Sequence, residues 1–161
     1  MSNSRAPIPR HHPKNLLLDQ QLCFALYSAT HAMTRSYKRA LATVGLTYPQ
    51  YLVMLVLWER DGIGISEIAG TLNLDTPSVT PLVRRLEAAG WLARVRVPGD
   101  QRISSMRVQP KGWAKQRQVA DIQKAMACRT GLKDAEFDRL KASLVEVAAR
   151  MNQALDAVEL Q

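Results

Sequence analysis

Across residues 65–108 the chain spells two short helices joined by a tight turn and followed at once by a β-hairpin, an order that few folds accept. Ile65, Ile68, Ala69 and Leu72 supply the inner face of the first helix, with Ser66 as its cap. Asn73-Leu74 makes the turn. Asp75 then caps a second helix over about 76–89, whose inward side carries Val79, Leu82, Val83 and Leu86. Gly90 ends it. Residues 91–97 and 104–108 alternate as strands do, and Pro98-Gly99-Asp100-Gln101 between them is a turn signal. Pro81 is the local conflict: inside a helix it removes a hydrogen bond and should bend the element.

The flanking segments are helical. Leu18, Leu22, Leu26, Ala29, Met33, Tyr37 and Leu41 recur every three or four residues, predicting a helix over about 16–44 closed by Gly45. Thr47 and Gln50 have the spacing of a capping box, with Pro49 in the first helical turn. Residues 51–58 are nearly all apolar, so that helix should be buried, and Asp61-Gly62 breaks it. Pro110 opens a helix to about Cys128, and Gly131 ends it. In the last helix, about 134–160, Phe137, Leu140, Leu144, Val147, Met151, Leu155 and Val158 approach a coiled-coil seam. That seam, joined by the first helix, is too much apolar surface for a monomer and implies a homodimer. The expected fold is mainly α with a small β-hairpin. Residues 47–109 form a winged helix-turn-helix domain, 16–46 and 110–161 a helical dimerisation region, and 1–15 a flexible tail.

Several function classes drop out. No stretch approaches the ~18 apolar residues of a membrane span. Leu16-Leu17-Leu18 is followed at once by Asp19, Gln20 and Gln21, so the apolar core of a signal peptide is missing and a cytoplasmic location is expected. In that compartment Cys23 and Cys128 are thiols rather than a structural staple. Neither they nor His11, His12 and His31 have metal-ligand spacing, so no metal and no cofactor are expected. No catalytic motif such as GxSxG, a P-loop or GxGxxG is present.

The charge points to a polyanion. Lys and Arg number 22 against 14 Asp and Glu, a net +8 in 161 residues. Between Arg84 and Arg107 there are six arginines against Glu87 and Asp100 alone. A helix about 10–12 Å across fits the major groove of double-stranded DNA, and its N-terminal residues reach base edges. The exposed side of the second helix offers Thr76, Ser78, Thr80, Arg84 and Arg85, and the hairpin adds Arg94, Arg96, Arg102 and Arg107. Short hydroxyl side chains allow close approach, and arginine can bond bidentately to bases or phosphates.

Cys23, Tyr27, Thr30, Thr34 and Tyr37 fall within about 40° of one line on the first helix, beside the apolar stripe. The residues alone leave two readings open: a buried cysteine acting as a small hydrophobe, or a reactive thiol. No Lys, Arg or His lies one turn away to stabilise a thiolate, and Asp19 would oppose it. Tyr37, about 21 Å along the same helix at ~1.5 Å per residue, could reach Cys23 only from a partner subunit.

The chain from about Leu18 to Leu160 resembles the MarR family of dimeric regulators. The tracts Gln21-Leu22-Cys23-Phe24-Ala25-Leu26-Tyr27 and Leu46-Thr47-Tyr48-Pro49-Gln50-Tyr51-Leu52 are similar to its OhrR-type organic-hydroperoxide sensors. So is Thr80-Pro81-Leu82 with Arg84-Arg85-Leu86-Glu87, which makes the awkward proline part of a pattern. Asp100-Gln101-Arg102 resembles the family's wing motif, in which the acid orients an arginine that enters the minor groove. The family's Leu-Thr-x-x-Gly after the wing reads Val108-Gln109-Pro110-Lys111-Gly112, a departure in the helix cap. The resemblance implies a repressor that binds a pseudo-palindromic operator as a homodimer. It also implies that Cys23 is the peroxide-sensing thiol, supported by Tyr37 and Tyr48 of the other subunit, with Tyr27 on the same stripe. Cys128 is then the resolving thiol of a two-cysteine subgroup. Two alternatives stand beside this: a MarR-type repressor that senses a small phenolic or lipophilic ligand while Cys23 is inert, and a thiol peroxidase, against which stand the missing CxxC and the clustered arginines.

Overall fold

The computed structural model describes residues 16–97 and 100–159, with side chains described except at 97, 100–103 and 155–159. The order is a 3₁₀ turn (Leu18–Gln20), α1 (Leu22–Ala42), α2 (Tyr48–Glu59), α3 (Ile65–Thr71), α4 (Thr76–Ala88), β1 (Leu92–Val97), β2 (Asp100–Val108), α5 (Pro110–Arg129) and α6 (Asp134–Glu159). This is the mainly helical winged architecture that the residue pattern predicts. The chain divides into two compact units at Val119/Ala120. The tail assigned to 1–15 lies outside the described residues.

In the first unit α2 is the hub, touching α1, α3, α4 and β2. Its Tyr51, Val53, Met54, Val56 and Leu57 are all buried, which is why its sequence is apolar on every side. Thr47 and Gln50 form the anticipated box: the Thr47 backbone N–H donates to Gln50 Oε1 (2.9 Å) and the Gln50 N–H donates to Thr47 Oγ1 (3.4 Å). Leu41, Ile68, Val79, Val83, Leu86, Trp91, Leu92 and Met106 close the core around it. Each such aliphatic side chain contributes about 1.5–3 kcal/mol on burial. In the second unit the end of α5 stops at Gly131, whose φ of +69° suits glycine, and α6 follows. Leu140, Leu144, Val145 and Met151 of α6 are exposed, while Phe137 and Val147 are half-buried.

Three local expectations need correction. The first helix begins at Leu22, not near residue 16, because Gln21 is extended (φ −90°, ψ 119°) and its side chain donates to the Leu17 carbonyl. Ser66 does not cap α3. Gly64 holds that position, and its N–H donates to Glu67 Oε2 at 3.1 Å. Pro81 lies inside α4 (Thr76–Ala88), where the sequence places it. Asp100 and Gln101 belong to β2 rather than to the turn, with a register slip between Arg96 and Val97. Pro98 and Gly99 lie outside the described residues.

Candidate DNA interface and thiol site

Asp75 sets the start of α4. Its Oδ1 accepts the Ser78 N–H at 2.6 Å, fixing the first turn that carries Thr76 and Ser78, both exposed. Hydrogen bonding to Ser78, through the side chain first and the backbone second, holds the Asp75 carboxyl below the usual carboxylate range against a small opposing effect of burial. A depressed carboxyl stabilises the fold above its ordinary titration range, and the contribution is lost as pH falls through the lowered value. The Ser78 amide resonance should therefore titrate with a midpoint below that of an ordinary aspartate, and Asp75→Asn should abolish the titration. A midpoint at the ordinary value would show that the cap does not hold the charge.

Along α4, Arg84 and Arg85 are exposed, and neither has an ion pair among the described residues. Thr80 is half-buried, and its hydroxyl donates to the Thr76 carbonyl (2.8 Å), leaving lone pairs rather than the proton for a ligand. On the hairpin Arg94 and Arg96 are exposed. Arg94 donates to Ser104 Oγ at 3.1 Å. Arg107 behaves differently: it stands at the root of β2 with Nη1 3.4 Å from Asp61 Oδ2. The side chains of Asp100 and Arg102 lie outside the described residues, although both backbones belong to β2.

Cys23 is the second residue of α1 and is exposed, as is Cys128 near the end of α5; both are free thiols. Within its own chain Cys23 is not covered by neighbouring side chains. The polar stripe of α1 splits along its length. Cys23, Tyr27 and Thr30 are exposed, Thr34 is half-buried, and Tyr37 is buried. Tyr27 packs on His31 with ring centroids 4.3 Å apart.

Tyr37 and Tyr48 do come together, at 5.2 Å between centroids. Tyr51, which the sequence reading did not single out as a site residue, is the third member, stacked on Tyr37 at 5.4 Å and 25°. Its signal was available: Tyr48 and Tyr51 are three apart on one helix and so share a face. Burial, and then the neighbouring Tyr37 phenol, pushes the Tyr48 hydroxyl above its ordinary pKa. Tyr51 is pushed up further, by burial first and then by the charge of Tyr37 and a hydrogen bond with it. Phenols of this kind stay protonated at neutral pH and can only offer O–H to an anion as donors. Among the described residues no cluster could hold a metal ion, and no helix is long and apolar enough to cross a membrane.

Residues 46–104, from the loop after α1 into β2, match the MarR family. Over 143 residues the chain is 39% identical to the HTH-type transcriptional regulator TtmR of Methylorubrum extorquens, covering 89% of this chain and 73% of that one. It is 30% identical over 139 residues to the organic hydroperoxide resistance transcriptional regulator of Bacillus subtilis, covering 86% and 95%. Among solved structures, reduced AbfR bound to DNA aligns with a TM-score of 0.73 at 29% identity, over 86% of this chain and 94% of that one. AbfR, from Staphylococcus epidermidis, has also been solved with its disulfide formed, aligning at 0.61. With this fold, this exposed basic helix beside a hairpin, and relatives matched over most of their length, the chain belongs to the MarR family, as a winged helix-turn-helix transcriptional regulator.

Proposed function

We propose that the protein is a homodimeric repressor that binds a pseudo-palindromic operator and is released when an organic hydroperoxide oxidises Cys23. The observation that carries the DNA half is the pair Arg84 and Arg85, exposed on α4 with no ion pair among the described residues, beside the arginines of the hairpin. Thr76, Ser78 and Thr80 approach the bases, and Arg102, oriented by Asp100, reaches the minor groove from the hairpin. In this reading residues 47–109 contact DNA, while 16–46 and 110–161 pair the subunits. The exposed apolar residues Leu22, Phe24 and Met33 of α1, and Leu140, Leu144 and Met151 of α6, support such pairing.

The sensing half rests on the exposed thiol of Cys23 and on the clustered phenols of Tyr37, Tyr48 and Tyr51. Similarity to a hydroperoxide regulator and to a protein solved in reduced and disulfide states supports it. Tyr37 and Tyr48 of one subunit donate hydrogen bonds to the Cys23 thiolate of the other, and Tyr27 flanks it. The thiolate attacks the terminal peroxide oxygen, the O–O bond breaks, and the alcohol leaves as its alkoxide and takes a proton, giving a sulfenic acid at Cys23. The Cys128 thiol of the other subunit then attacks that sulfur, expelling water and forming an intersubunit disulfide. Recognition helices must match half-sites about one DNA turn apart, so a shift of the subunits breaks the match.

A gel-shift against the DNA upstream of the protein's own gene tests this. Reduced protein should bind, with affinity falling steeply as salt rises, and an organic hydroperoxide should release it. Release by a phenolic compound, with no response to peroxide, would favour the ligand-sensing alternative.

A further inference from the structure

Glu87 is an acid in the most basic stretch of the chain, two residues after Arg85 on α4, where a carboxylate facing phosphates would weaken binding. Its oxygen is already occupied. Glu87 Oε1 accepts the backbone N–H of Arg94 in β1 at 3.2 Å. On the other side of the hairpin, Asp61 Oδ1 accepts the backbone N–H of Val108 in β2 at 2.8 Å, and Asp61 Oδ2 meets Arg107.

The pairing register explains why these two amides need acceptors. Arg94 lies opposite Met106. Both backbone polar groups of Met106 turn away from β1: its N–H donates to the Ile63 carbonyl (2.8 Å) and its carbonyl accepts from Gly62 (3.0 Å). Arg94 and Met106 therefore form a non-hydrogen-bonded pair, and the Arg94 N–H points off the free edge of β1. Two residues beyond Met106, the Val108 N–H points off the edge of β2, just past the end of the short Ile63 bridge. A two-stranded hairpin is marginal alone, and its edges carry unpaired N–H groups. Here each edge is held at its root by one carboxylate from the helical core. Asp61 comes from the turn that follows α2 and Glu87 from the recognition helix itself.

We propose that Glu87 and Asp61 are positioning residues that fix where the hairpin arginines stand relative to α4, and so determine DNA affinity without touching DNA. The proposal rests on the DNA-binding reading above, and its test separates the two. In the free protein, Glu87→Ala should speed exchange of the Arg94 amide, and Asp61→Ala that of Val108, each by roughly tenfold or more, as expected on losing a hydrogen bond to a charged group. Core amides of α2 and α4 should not change. Glu87→Gln and Asp61→Asn keep a carbonyl acceptor and should restore protection.

With the upstream DNA as probe, both alanine variants should bind more weakly by about fivefold to a hundredfold, the size of losing one side chain's base contacts. Hydroxyl-radical protection should be lost where the hairpin lies and kept where α4 lies, and the amide variants should recover it. Unchanged exchange at Arg94 and Val108 overturns the clamp, whatever the DNA result. Altered exchange with unchanged affinity and footprint overturns its role in binding. Should an alanine variant fail to fold, the amide variants decide alone: loss of the hairpin footprint in Glu87→Gln would show that the hydrogen bond is not what positions it. Wild-type protein that binds no upstream DNA overturns the functional reading, and the exchange arm still decides the clamp.

Discussion

Cys23→Ser is expected to keep binding DNA at peroxide concentrations that release the wild-type protein. Cys23 is an exposed thiol at the start of α1, and its oxidation to a sulfenic acid is the step that begins the proposed switch. On non-reducing gels the oxidised wild type should run as a covalent dimer, and that band should vanish in both Cys23→Ser and Cys128→Ser. The two variants should nevertheless part company. Cys128→Ser still forms the sulfenic acid, and without a resolving thiol it should proceed to sulfinic acid or to a mixed disulfide with a small thiol. Tyr37→Phe and Tyr48→Phe should slow the first step by removing donors to the thiolate. A Cys23→Ser protein as peroxide-sensitive as wild type would place the sensor elsewhere and favour the ligand-binding alternative.

The second large effect concerns the joint between hairpin and α5. Gly112 is buried in the first turn of α5. A Cβ there would stand 2.8 Å from the Trp91 carbonyl oxygen and 2.7 Å from Val108 Cγ1. The carbonyl cannot yield easily, because it accepts the Gln109 N–H at 2.9 Å, and Trp91 is 1% exposed. Gly112→Ala should therefore destabilise by about 1–3 kcal/mol through overpacking. Gly70, exposed inside α3 with nothing within 4 Å of its would-be Cβ, makes the opposite case. Gly70→Ala should stabilise by about 0.5–1 kcal/mol through the lost flexibility of the unfolded chain and better helix propensity. Denaturant titration of the two variants beside wild type checks both signs; a neutral Gly112→Ala would mean that α5 can slide away from the hairpin root without cost.

What was legible in the sequence was local. Thr47 with Gln50, and Asp75 with Ser78, lie three residues apart, and one helical turn brings each pair together in any context. Gly45, Gly90 and Gly131 mark helix ends because their positive φ suits a residue without Cβ. The exposed side of α4 follows from the burial of Val79, Val83 and Leu86 on the other. Contacts made by the fold were not legible. Asp61 looked like a helix breaker, yet its carboxylate serves a strand that lies far along the chain. Arg107 reads in the sequence as one more hairpin cation, whereas in the fold it stands beside Asp61. Ser66 has the chemistry of a cap, but Gly64 and Glu67 made the cap first. The first helix looked longer than it is because Leu16, Leu17 and Leu18 extend the apolar pattern, while Gln21 satisfies the Leu17 carbonyl and breaks the helix there.

The central claim is that oxidation of one cysteine governs occupancy of DNA. It is tested most directly by titrating the complex of protein and labelled upstream DNA with an organic hydroperoxide. DNA release is followed by fluorescence anisotropy, and modification of each cysteine is followed by mass spectrometry in the same samples. Release should track loss of the Cys23 thiol point for point, with the Cys23–Cys128 disulfide following, and a thiol reductant should restore binding. Release that precedes Cys23 oxidation, or full oxidation of Cys23 with the DNA still bound, would contradict it.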